Sequence, residues 1–226
     1  MLYIFLQADT VATEAAQKSV PIIEILLTQT GWFFLIPLLL MSFIAVYIFF
    51  ERFVKIQKAN DIDNDFMSQI QTYMLDGNIK AAENLCADSD TPISNMVRKG
   101  IRRIGKPLRS IEVAIENEGR IELLKLEKNL AYLAMIAGAA PMVGFLGTVT
   151  GMINAFYQIS NSGSSVEPGV LAGGIYQALL TTAIGLTIGI IAFVGYNILV
   201  SMVEKVVYKM EYTTIQFVDF LQTPAK

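Results

Sequence analysis

Residues 168–203 read PGVLAGGIYQALLTTAIGLTIGIIAFVGYNILVSMV, an uncharged run that decides the fold of this chain. Two further runs, residues 25–50 and 129–166, also contain no Asp, Glu, Lys or Arg. A helix needs about 20 mostly apolar residues to cross a bilayer, and a soluble core seldom leaves stretches of that length without a surface charge. The three runs therefore predict an all-α integral membrane protein with three transmembrane helices.

The composition of the 226-residue chain leaves few residues for catalysis. Charged residues make up 16% of it, against about 25% in an ordinary soluble domain. The net charge of −3 argues against a nucleic-acid partner, because such partners demand a basic surface. The chain has no His and a single Cys, Cys86, which removes the usual zinc clusters, a Ser-His-Asp triad and an intramolecular disulfide. We predict no catalytic residue, no metal site and no cofactor, and an enzyme is the least favoured class.

The polar part between the first two uncharged runs is predicted to be helical. Thr91 and Pro92 suit the N-cap and first residue of a helix that ends at Gly105. Another helix begins after Pro107, and if it continues unbroken to Gln158 it is on the order of 75 Å long at ~1.5 Å per residue. Two ion pairs at helical spacing support its exposed face: Glu116 with Arg120, and Glu122 with Lys125.

The distribution of Lys and Arg predicts the orientation in the membrane. Residues 51–128 hold 13 of the 17 Lys and Arg, whereas residues 159–168 hold none. Because positive residues stay on the cytoplasmic side, the polar domain and the C-terminus are predicted to be cytoplasmic and the N-terminus periplasmic. Two of the three transmembrane helices are therefore expected to extend into a cytoplasmic helical domain.

These observations divide the chain into seven predicted segments. The N-terminal segment, residues 1–30, is interpreted as an amphipathic segment at the membrane surface, although a frayed tail is nearly as good an interpretation. The segments are a periplasmic N-terminal segment (1–30), transmembrane helix 1 (31–51), a cytoplasmic helical domain (52–128), transmembrane helix 2 (129–158), a short periplasmic loop (159–168), transmembrane helix 3 (169–203) and a cytoplasmic C-terminal helix (204–226).

A basic cluster stands out in the cytoplasmic domain. It consists of Arg98, Lys99, Arg102 and Arg103 near a predicted helix end. Such a cluster can contact anionic lipid headgroups, or it can be a solvated surface, and the sequence favours neither interpretation.

Small and polar residues distinguish the second and third spans from the first. Small residues let helix backbones approach closely, and the candidates for helix packing are Pro141, Gly144, Gly147, Gly151, Gly185 and Gly189. Thr148 lies on the same helical face as Gly144, and Thr182 on the same face as Gly185. Two such faces could line a narrow, partly wet interior. The alternative is that each threonine hydroxyl bonds to a carbonyl of its own helix.

Two runs resemble the second-span and third-span signatures of the ExbB/TolQ/MotA family, with ExbB the nearest branch. They are AAPMVGFLGTVTGM at 139–152 and GIYQALLTTAIGL at 174–186. The resemblance implies an inner-membrane motor subunit driven by proton motive force. It implies a homopentamer around the helices of an ExbD-like single-span protein, which supplies an intramembrane Asp, and a TonB-like protein that carries the work to outer-membrane transporters. Membrane lipids surround the assembly.

The resemblance also assigns residues to a proton path. Thr148 and Thr182 match the two pore-lining threonines of the family, and Thr181 and Gln177 belong to the same stretch. Gln177 departs from the pattern, because the family usually has Glu there. An amide forms hydrogen bonds but cannot titrate, and no Asp, Glu, Lys, Arg or His lies in spans two or three. Any carboxylate that carries protons is therefore expected to come from a partner.

Three other interpretations remain open from the sequence. The first is a TolQ-like subunit that serves envelope integrity. The second is a non-conducting scaffold of the same fold, with Gln177 marking the lost coupling. The third is a self-contained channel or transporter, which the absence of ionisable groups and inverted repeats disfavours.

Overall fold

The computed structural model describes residues 32–61, 65–161 and 168–222. Within those ranges every regular element is an α-helix. The helices are α1 (Trp32–Asn60), α2 (Phe66–Leu75), α3 (Ile79–Ser89), α4 (Pro92–Ile101), α5 (Leu108–Glu127), α6 (Leu130–Asn161) and α7 (Pro168–Gln222). The predicted N-terminal segment 1–30 and most of the predicted loop 159–168 lie outside the described residues.

Three helical stretches are long and apolar enough to cross a membrane. Their mean hydropathies are 2.6 for Trp32–Asn60, 1.8 for Leu108–Asn161 and 2.1 for Leu171–Gln222. Large apolar side chains such as Phe43 and Met142 are mostly exposed, at 82% and 72%, as lipid-facing side chains are. The predicted all-α fold with three transmembrane helices is confirmed, and the chain is a multi-pass membrane protein.

The helices form two compact units. The first unit comprises Met1–Leu40 and Ala140–Thr187, so its described part holds the start of α1, most of α6 and about the first third of α7. The second unit comprises Met41–Ala139 and Ile188–Lys226, and it contains all of α2 to α5.

Local sequence signals explain the short helices of the second unit. The backbone N–H of Ser94 donates to Thr91 Oγ1 at 3.2 Å, and the backbone N–H of Thr91 donates to Ser94 Oγ at 2.9 Å. This reciprocal cap starts α4 and confirms the predicted helix start. The helix ends at Ile101 rather than at Gly105, because turn hydrogen bonds such as Arg103 N–H to the Gly100 carbonyl replace the helical ladder.

Helices α4, α5 and the C-terminal part of α7 meet within the core of the second unit. An added Cβ at Gly100 would lie 2.7 Å from Phe217 Cε1 and 2.8 Å from Ile115 Cδ1, so these two side chains pack directly on the backbone of α4. Phe217 is fully buried. The glycine thus lets α7 and α5 approach α4 closely.

The helix that the sequence allows to continue from Pro107 to Gln158 is interrupted, because it breaks between α5 and α6. Lys128 and Asn129 form a turn, and Asn129 has a φ of 68°, a left-handed conformation that Asn tolerates better than most residues. The break leaves carbonyls at the end of α5 without helical partners. Arg52 of α1 donates from Nη1 to one of them, the carbonyl of Lys125, at 3.2 Å.

The two ion pairs predicted on α5 are both present, with one difference in burial. Glu116 contacts Arg120 at 2.8 Å and Glu122 contacts Lys125 at 2.7 Å. Glu122, however, is only 5% exposed, and it also accepts a hydrogen bond from Asn95 Nδ2 at 3.3 Å. Its carboxylate therefore ties α5 to α4, and the hydrogen bond from Lys125 raises the pKa of that ammonium group.

We expect Arg52→Met to destabilise the second unit. The substitution removes the part-buried hydrogen bond from the Arg52 guanidinium to the carbonyl of Lys125, and the loss of such a bond costs about 1–3 kcal/mol. The free energy of unfolding, followed by circular dichroism in detergent with urea, should fall by that amount. Lys55→Met is the matched control on α1, because Lys55 is exposed and its ion pair with Glu51 contributes little. Equal stability of the two variants would show that the Arg52 contact is not structural.

Candidate functional site

In the first unit, α6 and α7 run antiparallel with their backbones in contact. An added Cβ at Gly185 would lie 2.6 Å from the carbonyl oxygen of Ala140 and 2.9 Å from Gly144 Cα. Further along the pair, Gly147 faces Thr181 and Gly151 faces Ala178. Helices approach this closely only where side chains are very small. Four of the packing candidates, Gly144, Gly147, Gly151 and Gly185, lie in this contact.

The two remaining packing candidates lie elsewhere. Pro141 is inside α6 and half-buried, and Gly189 is buried in the second unit.

Thr182 and Thr181 both lie in the contact between α6 and α7. The Thr182 hydroxyl donates to the carbonyl of Gly144 at 2.9 Å, a hydrogen bond that joins the two helices. The Thr181 hydroxyl donates to the carbonyl of Ala178 in its own helix at 2.8 Å, and the residue is 2% exposed. Thr182 is thus a cross-helix link, and Thr181 is a packed side chain with a satisfied donor.

Thr148 lies outside this contact and lines a shallow groove on α6. Its hydroxyl donates to the carbonyl of Phe145 at 2.7 Å, so it bonds within its own helix. The other lining residues all come from the same helix: Val149, Met152, Ile153, Phe156 and Tyr157. Among the described residues of the first unit, no second helix contributes to this groove.

Gln177 lines a different, partly open cavity, which is bordered by three helices of the first unit. The cavity has a volume of about 470 Å³. Phe34 comes from α1, and the polar side chains on its walls are Thr150, Asn154 and Gln158 of α6 with Gln177 and Thr181 of α7. The structure therefore brings Gln177 and Thr181 to one cavity, and it separates both from the groove of Thr148.

Asn154 and Gln158 line the cavity but are not among the predicted site residues. Both carry an amide, and they are four residues apart on α6, so they project from the same face of the helix. That spacing, together with the amide of Gln177 on the next helix, was the sequence signal that could have indicated a shared polar cavity.

The walls of the groove and of the cavity carry no charged residue. No Asp, Glu, Lys or Arg lies between residues 129 and 166 or between 168 and 203. Among the described residues, no group of three or more His, Cys, Asp and Glu side chains could hold a metal ion. The lining can donate and accept hydrogen bonds, but it has no carboxylate, imidazole or amine on which to carry a proton.

The basic cluster is engaged mostly within the second unit. Lys99 contacts Glu118 at 3.0 Å, Arg102 contacts Glu83, and Arg103 donates to Ser110. Arg98 is half-buried. Contact of these side chains with lipid headgroups stays a prediction.

Residues 88–212 match the profile of the MotA/TolQ/ExbB proton channel family. "Putative biopolymer transport protein ExbB-like 1" of Synechocystis sp. is 28% identical over 184 residues, which cover 80% of this chain and 71% of that protein. A "Putative biopolymer transport protein ExbB homolog" of Methanothermobacter thermautotrophicus is 28% identical over 177 residues, which cover 76% of this chain and 62% of that protein.

A relative from another system is similar over a shorter stretch. "Tol-Pal system protein TolQ" of Pseudomonas aeruginosa is 38% identical over 89 residues, 39% of this chain and 36% of that protein. Relatives named for ExbB and for TolQ thus both match, and the chain spans about a third of the TolQ relative.

We expect Gly185→Ala to separate α6 from α7. The new Cβ would meet backbone atoms of Ala140 and Gly144, which cannot rotate away, and overpacking of this kind costs about 1–3 kcal/mol. The melting temperature of the detergent-solubilised protein should fall accordingly. Gly173→Ala on the same helix is the control, because no atom lies within 4 Å of its added Cβ. A Gly185→Ala protein as stable as Gly173→Ala would refute the close contact.

Proposed function

This chain belongs to the MotA/TolQ/ExbB proton channel family, and on that premise we propose that it is the multi-span subunit of an ExbB-like motor complex driven by proton motive force. The proposal places five copies around the transmembrane helices of an ExbD-like single-span protein. A TonB-like protein would then deliver the work to outer-membrane transporters. The names of the relatives, which include biopolymer transport proteins, support this assignment.

The observation that carries the proposal is the position of Thr148. Its groove is formed by α6 alone within the described part of the first unit, so it is available to a helix from another chain. A hydroxyl has one donor and two acceptor sites, and the donor is already used on the carbonyl of Phe145. Thr148 can therefore accept a hydrogen bond from a protonated carboxyl group.

The absence of ionisable groups from the uncharged runs sets the requirement for a partner. A carboxylate in the middle of a membrane helix costs at least ~2.5 kcal/mol, while one charge crossing the membrane potential gains ~2.3 kcal/mol per 100 mV. A carboxyl group that binds a proton before it crosses the apolar region avoids most of that cost. Since this chain has none in these segments, we assign the titrating group to the Asp of the partner.

The proposed location is the bacterial inner membrane. The excess of Lys and Arg in residues 51–128 supports a cytoplasmic C-terminus and a periplasmic N-terminus. The predicted segments 52–128 and 204–226 are then the cytoplasmic part, and lipids surround the helices.

Two alternatives within the family have their own support. A TolQ-like role in envelope integrity is supported by the TolQ relative. A non-conducting scaffold is supported by Gln177, because an amide replaces the carboxyl group that the family usually has at that position.

We expect proton uptake into liposomes only when this chain is reconstituted with the ExbD-like protein of the same genome. Thr148→Val should lower that uptake several-fold, up to about tenfold, because one hydrogen bond contributes about 1 kcal/mol. Thr187→Val is the matched control: Thr187 is exposed on α7 and donates to the carbonyl of Ala183 in its own helix. Uptake should be unchanged in that variant.

Each contrary result points to a different correction. Uptake by this chain alone would disprove the assignment of the carboxyl group to a partner. No uptake in any combination would favour the scaffold, and Gln177→Glu would then be the variant that restores it. An equal loss in the Thr148 and Thr187 variants would remove the special role of Thr148.

A further inference from the structure

The cavity of Gln177 is lined by polar groups within a single chain and at membrane depth. Its volume is about 470 Å³, and its walls come from α1, α6 and α7 of the first unit. Gln177 follows the start of α7 by nine residues, which is about 14 Å along the helix at ~1.5 Å per residue. That distance is about half of the ~30 Å hydrocarbon thickness. The cavity thus reaches near the middle of the membrane if α7 begins at the interface.

Hydrogen bonding inside the cavity is incomplete without further groups. The Thr150 hydroxyl donates to the carbonyls of Leu146 and Gly147, and that of Thr181 to Ala178. By contrast, the amides of Asn154 and Gln177 have no hydrogen-bond partner in the described part of the chain. Each amide has two donors and an acceptor. Asn154 is exposed and Gln177 is half-buried, so both amides are open to a ligand in the cavity.

Water is the ligand that fits this lining. Polar groups at membrane depth that lack protein partners are tolerated where they face water. The volume holds on the order of ten water molecules at ~30 Å³ each. The side chains are amides and hydroxyls without charge, so they suit a neutral ligand that both donates and accepts hydrogen bonds.

We propose that the cavity between α1, α6 and α7 is a hydrated pocket inside each subunit, and that Asn154 and Gln177 keep it hydrated. The pocket is distinct from the Thr148 groove, because Gly147 lines the pocket while the next residue, Thr148, lines the groove. Water beside α6 and α7 raises the local dielectric constant and lowers the cost of a charge nearby. The proposal goes beyond the motor function, since the pocket is hydrated whether or not the complex conducts protons.

Cysteine accessibility tests the pocket without reference to proton flux. The only native cysteine, Cys86, is fully buried, and burial raises the pKa of its thiol to about 12, so the unaltered chain provides an unreactive background. Asn154→Cys and Gln177→Cys are made in the full chain, and each is reconstituted in liposomes. They are treated with a charged, water-soluble methanethiosulfonate reagent. A thiol reacts as the thiolate, which forms only where water reaches it.

Leu179→Cys is the matched control for Gln177→Cys. It lies two residues further along α7, at nearly the same depth, and it is 63% exposed outside the cavity. We expect Gln177→Cys and Asn154→Cys to react at least about tenfold faster than Leu179→Cys. Labelling after denaturation verifies that every variant carries an intact thiol. A Gln177→Cys rate no higher than that of Leu179→Cys overturns the proposal.

A second variant tests whether the reagent arrives through the pocket. Gly173 lines the cavity, and no atom lies within 4 Å of its added Cβ, so Gly173→Leu places a side chain in the pocket without a clash at Cβ. In that background, labelling of Gln177→Cys should slow several-fold while that of Leu179→Cys stays unchanged. Labelling that the leucine does not slow would show that water reaches Gln177 by another route, and the pocket assignment would fail.

Discussion

The backbone contact between α6 and α7 determines the arrangement of the first unit. Gly144 and Gly185 oppose each other so closely that a Cβ on either would meet backbone atoms of the other helix. The Thr182 hydroxyl reinforces the contact through the carbonyl of Gly144. Once the glycines fix which sides of the two helices meet, the remaining polar residues have defined positions. Thr148 faces the groove on α6 alone, and Gln177 faces the cavity with α1.

In the second unit a buried cation has a comparable role. Arg52 is 3% exposed, and it donates to the carbonyl of Lys125 and to Glu51. A buried charge is tolerated only with well-placed partners. The end of α5 and the Arg52 side chain therefore fix each other's position. The turn at Lys128 and Asn129 follows directly, and the polypeptide leaves α5 for α6 at that point.

The sequence predicted those features that depend on neighbouring residues. The uncharged runs predicted the three spans, Thr91 and Pro92 predicted the start of α4, and helical spacing predicted the ion pair of Glu116 with Arg120. The break at Asn129 was missed, because its stabilising contact comes from Arg52, far away in the sequence. Helical periodicity placed Gly144 and Thr148 on one face of α6. It could not show that α7 packs against Gly144 and leaves Thr148 in a separate groove. The cavity likewise requires Phe34 of α1, and no spacing rule on α6 and α7 indicates its presence.

The neutral lining of the Gln177 cavity provides hydrogen bonding without titration, whereas a carboxyl group at position 177 would provide both. Such a group would hydrate the cavity and titrate, and each change of its protonation would alter the charge inside the subunit. An amide retains the hydrogen bonds and has no titration at ordinary pH, so the field around α6 and α7 stays constant while a partner's carboxyl group gains or loses its proton. Under the proposed function, the pH dependence of the assembled complex at membrane depth then belongs to the partner. The electrostatic contribution of this chain at that depth is then the fixed one of its hydroxyls and amides.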